Sequence, residues 1–244
     1  MEKAFYIFLL LVITSCGISE DCFKGNGNSV TQLFPLEGFT KVKVYDGVGL
    51  VIKEGPNYEV KVVTNDKILD NIDVSMQGDM LVVKDNSTCN IARGYGQTVV
   101  YVTAPNLEEI HSKTEQDIKS DGVLHYGLFR LFSIEDGDGA GTGNFHINIQ
   151  SSGQLVIESN NIANFYLKGN VGEILLNFYF GNGRFYGEEL HAQNIKVYHR
   201  GSNDMFVYPI QKLEGQILST GNIILKNIPL EIEIEELYTG GLIY

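Results

Sequence analysis

Short apolar strands and small polar corners alternate through the C-terminal half of the chain, from about residue 131 to residue 244. The residues that open the strands recur every 17 to 21 positions, roughly the repeat length of a stacked solenoid coil. They are Phe145, Phe165, Phe185, Phe206, Ile223 and Leu242. Glycine, asparagine, serine and aspartate fill the corners, and these residues tolerate the tight bends that a coil needs.

A second apolar strand follows about half a period later in each repeat, at residues 155–158, 174–176, 195–198, 217–218 and 232–234. Such a unit cannot bury its apolar side chains alone, whereas stacked copies share one interior. No segment of this half has a convincing helical period. The pattern therefore predicts an all-β fold, a β-solenoid in the form of a right-handed parallel β-helix.

Longer alternating strands occupy residues 41–45, 58–62 and 72–76, with a hairpin turn at residues 77–79. We expect this part to form the first coils, or a small N-terminal β cap that covers the bare strand edges of the solenoid. We thus predict one domain over residues 36–244. It comprises the cap and first coils at 36–106 and the repeat coils at 107–244.

The N-terminus has the features of an export signal. One lysine precedes an apolar run at residues 4–13, which is shorter than the roughly 20 residues of a membrane span. Thr14 and Ser15 then precede Cys16, as in a bacterial lipobox. We therefore predict a lipoprotein signal peptide at residues 1–16, with Cys16 carrying palmitate-type acyl chains. The competing interpretation is an ordinary signal peptide with an incidental cysteine.

Residues 17–35 are predicted to form a tether. Glu20 and Asp21 resemble the acidic surface-export tag of some Gram-negative lipoproteins, although a solvated acidic tether explains them equally well. The formal net charge of the chain is -12, which argues against a nucleic acid partner because such partners need clustered Lys and Arg. The predicted location is the cell envelope, as an outer-membrane lipoprotein that faces outward or into the periplasm.

Cys22 and Cys89 are the two cysteines that remain after Cys16. In an oxidising compartment, such a pair is more typical of a disulfide than of a catalytic dyad. A metal site is the competing interpretation, but the five histidines are scattered without a ligand spacing. We predict a disulfide between Cys22 and Cys89, and neither a metal site nor a cofactor.

Four segments resemble a known family: residues 39–44, 49–55, 99–110 and 219–229. They are similar to segments of the auto-transporter adhesin, head GIN domain family of secreted or lipidated β-helical proteins. The resemblance covers nearly all of the mature chain and implies a β-helical fold and adhesion, with no catalytic residues to carry over. The chain departs from the family's glycine corners at residues 115–117 and 160–162.

Two groups of residues are candidates for chemistry. Asp136 and Asp138 lie in a Gly/Asp-rich stretch that resembles a single calcium-binding repeat, or is simply a long corner. Outward aromatic side chains from neighbouring repeats are candidates for contact with sugar rings, or else they fill the interior. These are Tyr166, Tyr179, Tyr198 and Tyr208.

These observations favour a non-catalytic, membrane-anchored adhesion or glycan-contact module. The alternative is an envelope scaffold or a partner in stress signalling, and a third interpretation is a polysaccharide-degrading β-helix enzyme. The expected partners are a membrane, reached through the lipid anchor, and a glycan or protein ligand at the surface. The sequence is also compatible with an oligomer.

Overall fold

The computed structural model describes residues 24–87, 94 and 96–244. All regular structure in this part is β-strand, apart from one 3-10 turn at Leu69–Asn71. This confirms the predicted all-β fold. None of the described helical segments is long and apolar enough to cross a bilayer. The predicted signal peptide, Cys16, Cys22 and Cys89 lie outside the described residues.

Within the described ranges, eighteen strands join into one sheet. Their bounds are β1 Ser29–Phe34, β2 Lys41–Tyr45, β3 Val48–Glu54, β4 Glu59–Asn65, β5 Ile72–Gln77, β6 Met80–Asp85, β7 Thr98–Ala104, β8 Glu109–Lys113, β9 Ile118–Ser120, β10 Leu128–Ser133, β11 Phe145–Gln150, β12 Gln154–Ser159, β13 Phe165–Phe178, β14 Phe185–His199, β15 Met205–Ile217, β16 Ile223–Leu225, β17 Glu231–Glu236 and β18 Leu242–Ile243.

Parallel pairing arranges most of these strands in two long rows. Row 1 has the order β6, β2, β8, β10, β12, β13, β14, β15, β17. Row 2 has the order β7, β3, β9, β11, β13, β14, β15, β16, β18. Strands β13, β14 and β15 run through both rows, so each forms most of one turn of the chain around a shared interior.

The interior of row 2 is a column of large apolar side chains. Phe145, Phe165 and Phe185 are in register on adjacent strands, and all three are buried. The rings of Phe145 and Phe165 stack with their centroids 4.6 Å apart. Met205 continues this column, whereas the sequence pattern predicted Phe206. A shift of one residue reverses the face of a strand, so Phe206 lies on the outer surface instead.

Row 1 contributes the opposite wall of the interior. Its buried column consists of Phe129, Leu155, Ile174, Ile195 and Leu213, with the half-buried Ile232 at its end. Full burial of each such side chain favours folding by about 1.5–3 kcal/mol. The column therefore stabilises the stacking of neighbouring turns as well as each turn itself.

Polar side chains tie successive turns together at the corner before row 2. Asn144 Oδ1 accepts the backbone N–H of Asn164 at 3.1 Å, and Asn164 Oδ1 accepts that of Arg184 at 3.1 Å. The pattern resumes later, where Asp204 Oδ1 accepts the backbone N–H of Asn222 at 3.1 Å. These bonds satisfy backbone donors that the corner would otherwise leave without a partner.

The N-terminal end of the stack is covered by antiparallel strands. β5 pairs with β6 through a hairpin in which Gly78 has a φ of +66°, and β1 pairs with β4, which in turn pairs with β7. β2 and β3 stack in parallel on β8 and β9. Residues 36–106 thus supply parallel strands of the stack and most of its antiparallel strands, while β1 lies within residues 17–35, the predicted tether.

Candidate functional site

A column of stacked rings runs along the outer surface of row 2. Side chains alternate along a strand, so the residue after each buried phenylalanine points outward. His146, Tyr166, Tyr186 and Phe206 are in register and form this aromatic column. Their successive ring centroids are 4.9, 4.6 and 5.5 Å apart, with interplanar angles of 6°, 3° and 7°.

The stacking decides which parts of the rings a ligand can reach. Each inner ring of the column has neighbours on both faces, so its edge and its polar atom remain at the surface. At one end the Lys226 ammonium lies 5.1 Å from the centroid of the Phe206 ring, in the geometry of a cation–π contact. A ligand on this surface would therefore meet ring edges and tyrosine hydroxyls.

A bulge in β14 interrupts the surface beside the aromatic column. Tyr166 pairs with Tyr186 and Lys168 pairs with Glu189, so β14 holds one more residue than β13 in this interval. The mismatch in residue number between β14 and β15 is larger. Between the pairs Tyr186–Phe206 and His191–Tyr208, β14 has four residues and β15 has one. Bulges of this kind bend a strand and redirect its side chains, and they are frequent next to functional sites.

An open groove of about 600 Å³ lies at this bulge, and we call it the bulge groove. The rings of His146, Tyr166 and Tyr186 contribute to its lining. Its polar lining includes Lys119, Asn148, Lys168, Glu188 and Glu189. Ring edges, hydrogen-bond donors and hydrogen-bond acceptors are therefore available together on one surface.

The electrostatics of the groove are mixed in sign. Two lysines and two glutamates line it, and the His146 Nε2 atom lies 3.6 Å from the Asp117 carboxylate. Burial and the neighbouring Tyr186 raise the pKa of Tyr166, so its hydroxyl stays protonated and can donate a hydrogen bond at neutral pH. This arrangement can hold an uncharged polar ligand, but it has no excess of one charge that would favour a highly charged one.

Residues 38–229 match the family described as "Putative auto-transporter adhesin, head GIN domain". The chain belongs to this family. The match spans most of the described part of the head GIN domain, including the aromatic column and the bulge groove. No curated protein matches the sequence.

Solved structures from Bacteroides and Parabacteroides share the fold of this head GIN domain. A "putative adhesin" from Bacteroides fragilis has a TM-score of 0.75 at 17% identity, with 88% of this chain and 96% of that chain covered. A "putative lipid binding protein" from Parabacteroides distasonis has a TM-score of 0.61 at 15% identity, with coverages of 90% and 98%. At these identities, the comparison establishes the fold alone.

The head GIN domain separates the four tyrosines that the sequence singled out. Tyr166 lies in the aromatic column. Tyr179 and Tyr198 form a different pair, with ring centroids 6.0 Å apart, and the Tyr179 hydroxyl donates to Glu158 Oε2 at 2.8 Å. Burial and this hydrogen bond raise the pKa of Tyr179 to about 12. Tyr208 instead contacts the ring of His191, with centroids 4.1 Å apart.

The sequence analysis missed three members of the aromatic column, namely His146, Tyr186 and Phe206 as an outward residue. The available signal was their spacing of 20 residues, which matches the spacing of the buried phenylalanines one position earlier. Strand alternation places the two series on opposite faces of row 2. The two series together therefore predict the outward column.

Lysines form ion pairs with Asp136 and Asp138, the two carboxylates that resembled a calcium site. Lys113 Nζ binds Asp136, while Lys43 Nζ and the Tyr45 hydroxyl lie 3.2 and 2.6 Å from Asp138 Oδ2. These contacts lower the pKa of both aspartates, chiefly through Lys113 for Asp136 and Tyr45 for Asp138. Among the described residues, no three His, Cys, Asp or Glu side chains are placed to hold a metal ion.

Proposed function

We propose that this head GIN domain is a non-catalytic adhesion module that contacts glycans through the bulge groove. The bulge itself carries the proposal, since the groove lies at the bulge and directly beside the aromatic column. The family description as an auto-transporter adhesin supports a role in binding.

The chemistry of the groove suits a hydroxyl-rich ligand. Lys119, Lys168 and Asn148 offer donors, and Glu188 and Glu189 offer acceptors. A sugar hydroxyl can donate and accept at once, so it can use both kinds of group. The ring edges of the column add apolar contact area. Because the groove is open along the surface, a chain of several sugars can cross it.

We further propose that the two rows form a right-handed parallel β-helix. The support is the parallel register between strands that lie one repeat apart, for example Phe145 with Phe165 and Phe165 with Phe185. Such a stack gives a long, rigid surface on which side chains repeat at the spacing of adjacent strands. That geometry suits contact with an extended ligand.

The adhesion role requires the domain to be held at the cell surface. We propose that lipidation of Cys16 anchors it to the outer membrane, with several acyl chains because one chain holds a protein only marginally. Cys16→Ala should move the protein from the membrane fraction to the soluble fraction. Protease treatment of intact cells should digest the wild-type domain, whereas full protection would contradict outward exposure.

The proposed absence of catalysis draws support from the lysine contacts of Asp136 and Asp138. A general acid must hold a proton, whereas the ammonium partners of both carboxylates favour their ionised form. If they nevertheless formed a hidden active site, calcium-dependent cleavage of a glycan would be lost in Asp136→Asn and Asp138→Asn. We expect that the wild type cleaves no glycan, with or without calcium.

A glycan-binding assay with paired variants tests the groove. Purified domain is applied to a panel of neutral, amino and acidic glycans, and affinities are measured for any glycan that it retains. Lys168→Ala and Glu189→Ala should each weaken binding about tenfold, since each removes a hydrogen bond to a charged group. Tyr198→Ser, which lies outside the groove, is the matched control and should leave affinity unchanged.

Two results would contradict the proposal. One is that the domain retains no glycan in the panel. The other is that Tyr198→Ser weakens binding as much as the groove variants do, which would indicate contacts distributed over both rows. Circular dichroism of each variant should show the wild-type β spectrum, so that a loss of binding reports on the groove and not on folding.

A further inference from the structure

The last strand of row 1 has an unpaired edge. β17 is in register with β15 along one side, and no other described strand pairs with it. Its outer side therefore presents free backbone N–H and C=O groups over six residues. Such an edge is a template for a further strand unless its side chains prevent pairing.

The side chains of β17 alternate between acidic and apolar. Glu231, Glu233 and Glu235 point outward and are exposed, while Ile232 and Ile234 are half-buried against the core. Apolar side chains also flank the strand, with Leu230 84% exposed before it and Leu237 57% exposed after it. An added strand could cover the isoleucine column and both of these leucines.

The acidic side chains at this edge outnumber their basic partners. Lys212 Nζ lies 2.9 Å from Glu231, 2.7 Å from Glu233 and 3.3 Å from Glu214. Hydrogen bonds to Glu233 and Glu231 raise the pKa of Lys212, so this lysine stays charged. Lys196 Nζ also lies 3.3 Å from Glu214, so two ammonium groups serve these three carboxylates. The Glu235 carboxylate has the neutral Gln216 amide as its partner at 2.8 Å.

This charge pattern argues against pairing between copies of the chain. Two β17 strands that pair with their apolar faces aligned would place glutamates opposite glutamates, which is destabilising. At the other end of row 1, β5 pairs antiparallel with β6 and forms the outer edge; it contains no lysine or arginine and exposes Asp73. If one copy stacked on the next through β5 and β17, β5 would therefore offer no basic side chain to the glutamates of β17.

We propose that β17 binds an extended segment of another protein in which lysine or arginine alternates with apolar residues. Strand addition supplies the backbone hydrogen bonds, and the side chains on alternate positions determine the choice of partner. The basic residues of the segment would face Glu231, Glu233 and Glu235. Its apolar residues would extend the interior column beyond Ile232 and Ile234.

Blocked, fluorescently labelled peptides test the proposal by anisotropy. The peptide Lys-Ile-Lys-Ile-Lys-Ile should bind at least tenfold more tightly than Glu-Ile-Glu-Ile-Glu-Ile. The triple variant Glu231→Lys, Glu233→Lys, Glu235→Lys should reverse this preference, because each reversed pair contributes a fraction of a kilocalorie and three act together. Binding of both peptides with equal affinity would overturn the proposed charge selection.

N-methylation separates strand addition from simple attraction to an acidic surface. In an added strand, only alternate N–H groups face the protein. One lysine peptide is methylated at its odd positions and another at its even positions. We expect one of them to lose binding at least tenfold and the other to retain it.

Equal retention by both methylated peptides would overturn strand addition and leave surface electrostatics as the cause. Sedimentation of the protein alone provides the second check. Dimers that persist in Glu233→Ala and compete with the peptide would show that a second copy occupies the edge, which would also overturn the proposal.

Discussion

The buried histidine His199 should make the stability of the domain depend on pH. It is the last residue of β14 and is fully buried, in register with Phe178 of β13 and Ile217 of β15. Neither ring nitrogen makes a hydrogen bond of normal geometry. Burial lowers the pKa of His199 to about 4, and weaker interactions with Asn203 and Asp204 offset only part of this effect.

The shift from the usual value of 6.5 to about 4 sets the size of the effect. One pKa unit corresponds to about 1.4 kcal/mol, so the difference amounts to about 3 kcal/mol of the free energy of unfolding. Between pH 6.5 and 4 the unfolded chain binds a proton that the folded protein does not. The contribution is therefore fully present above about pH 6.5 and is lost progressively as the pH falls to about 4.

Urea unfolding of the wild type and of His199→Leu from pH 4 to pH 8 measures this contribution. Leucine continues the apolar column and cannot titrate. As the pH falls from 7 to 4, we expect the unfolding free energy of the variant to rise by about 3 kcal/mol relative to that of the wild type. Taking the difference between the two proteins removes the general effect of acid on the carboxylates. Ile217→Val is the control, with a loss of about 1 kcal/mol that does not depend on pH.

A difference between wild type and His199→Leu that stays constant over this pH range would refute the reasoning. It would mean that the ring is hydrated or hydrogen-bonded when the protein is folded. A parallel change in the Ile217→Val control would instead show that acid loosens the whole column.

Three further predictions concern the stack and its tether. In urea unfolding, Gly215→Ala should lower the unfolding free energy by about 3 kcal/mol. The reason is that φ of Gly215 is +138° and the added Cβ would lie 1.9 Å from a backbone oxygen. Gly78→Ala, whose Cβ would meet open space, should cost only about 1 kcal/mol in the same assay. Asn164→Ala should cost about 1 kcal/mol, measured by thermal unfolding, because its side chain bonds the next turn. A disulfide between Cys22 and Cys89 would close a loop of about 67 residues and stabilise by up to about 4 kcal/mol; two free thiols in the denatured, unreduced protein would contradict it.

The repeat itself could be predicted from sequence because the core is periodic. Phe145, Phe165 and Phe185 recur at the true spacing of the turns, and all three are buried in register. At the next turn the pattern was ambiguous, since Met205 and Phe206 are both apolar and either can lead a strand. Alternation along one strand cannot decide between them, whereas pairing with β14 selects Met205.

The bulge groove could not be predicted for a related reason. A bulge is a mismatch between two strands, and the sequence of β14 gives no indication of how many residues face one residue of β13. The register of β14 in this interval is defined by the pairing of Lys168 with Glu189, which involves a separate strand.

Whether the Gly/Asp-rich stretch around Asp138 is a calcium loop or a corner depends on contacts with residues that are remote in sequence. Asp138 pairs with Lys43 and Tyr45, which precede it by 95 and 93 residues. Local sequence shows only aspartates between glycines, which is the composition of a calcium loop as well as of a corner. The lysines that distinguish the two come from strands that only the fold brings close.

The most direct test of glycan contact at the bulge groove is chemical-shift mapping by NMR, with the glycan that the domain retains from the panel. We predict that the amide resonances of Lys119, Asn148, Lys168 and Glu189 shift together and saturate at one affinity, while that of Tyr198 stays in place. Shifts spread evenly over both rows, or confined to residues outside the groove, would contradict the account.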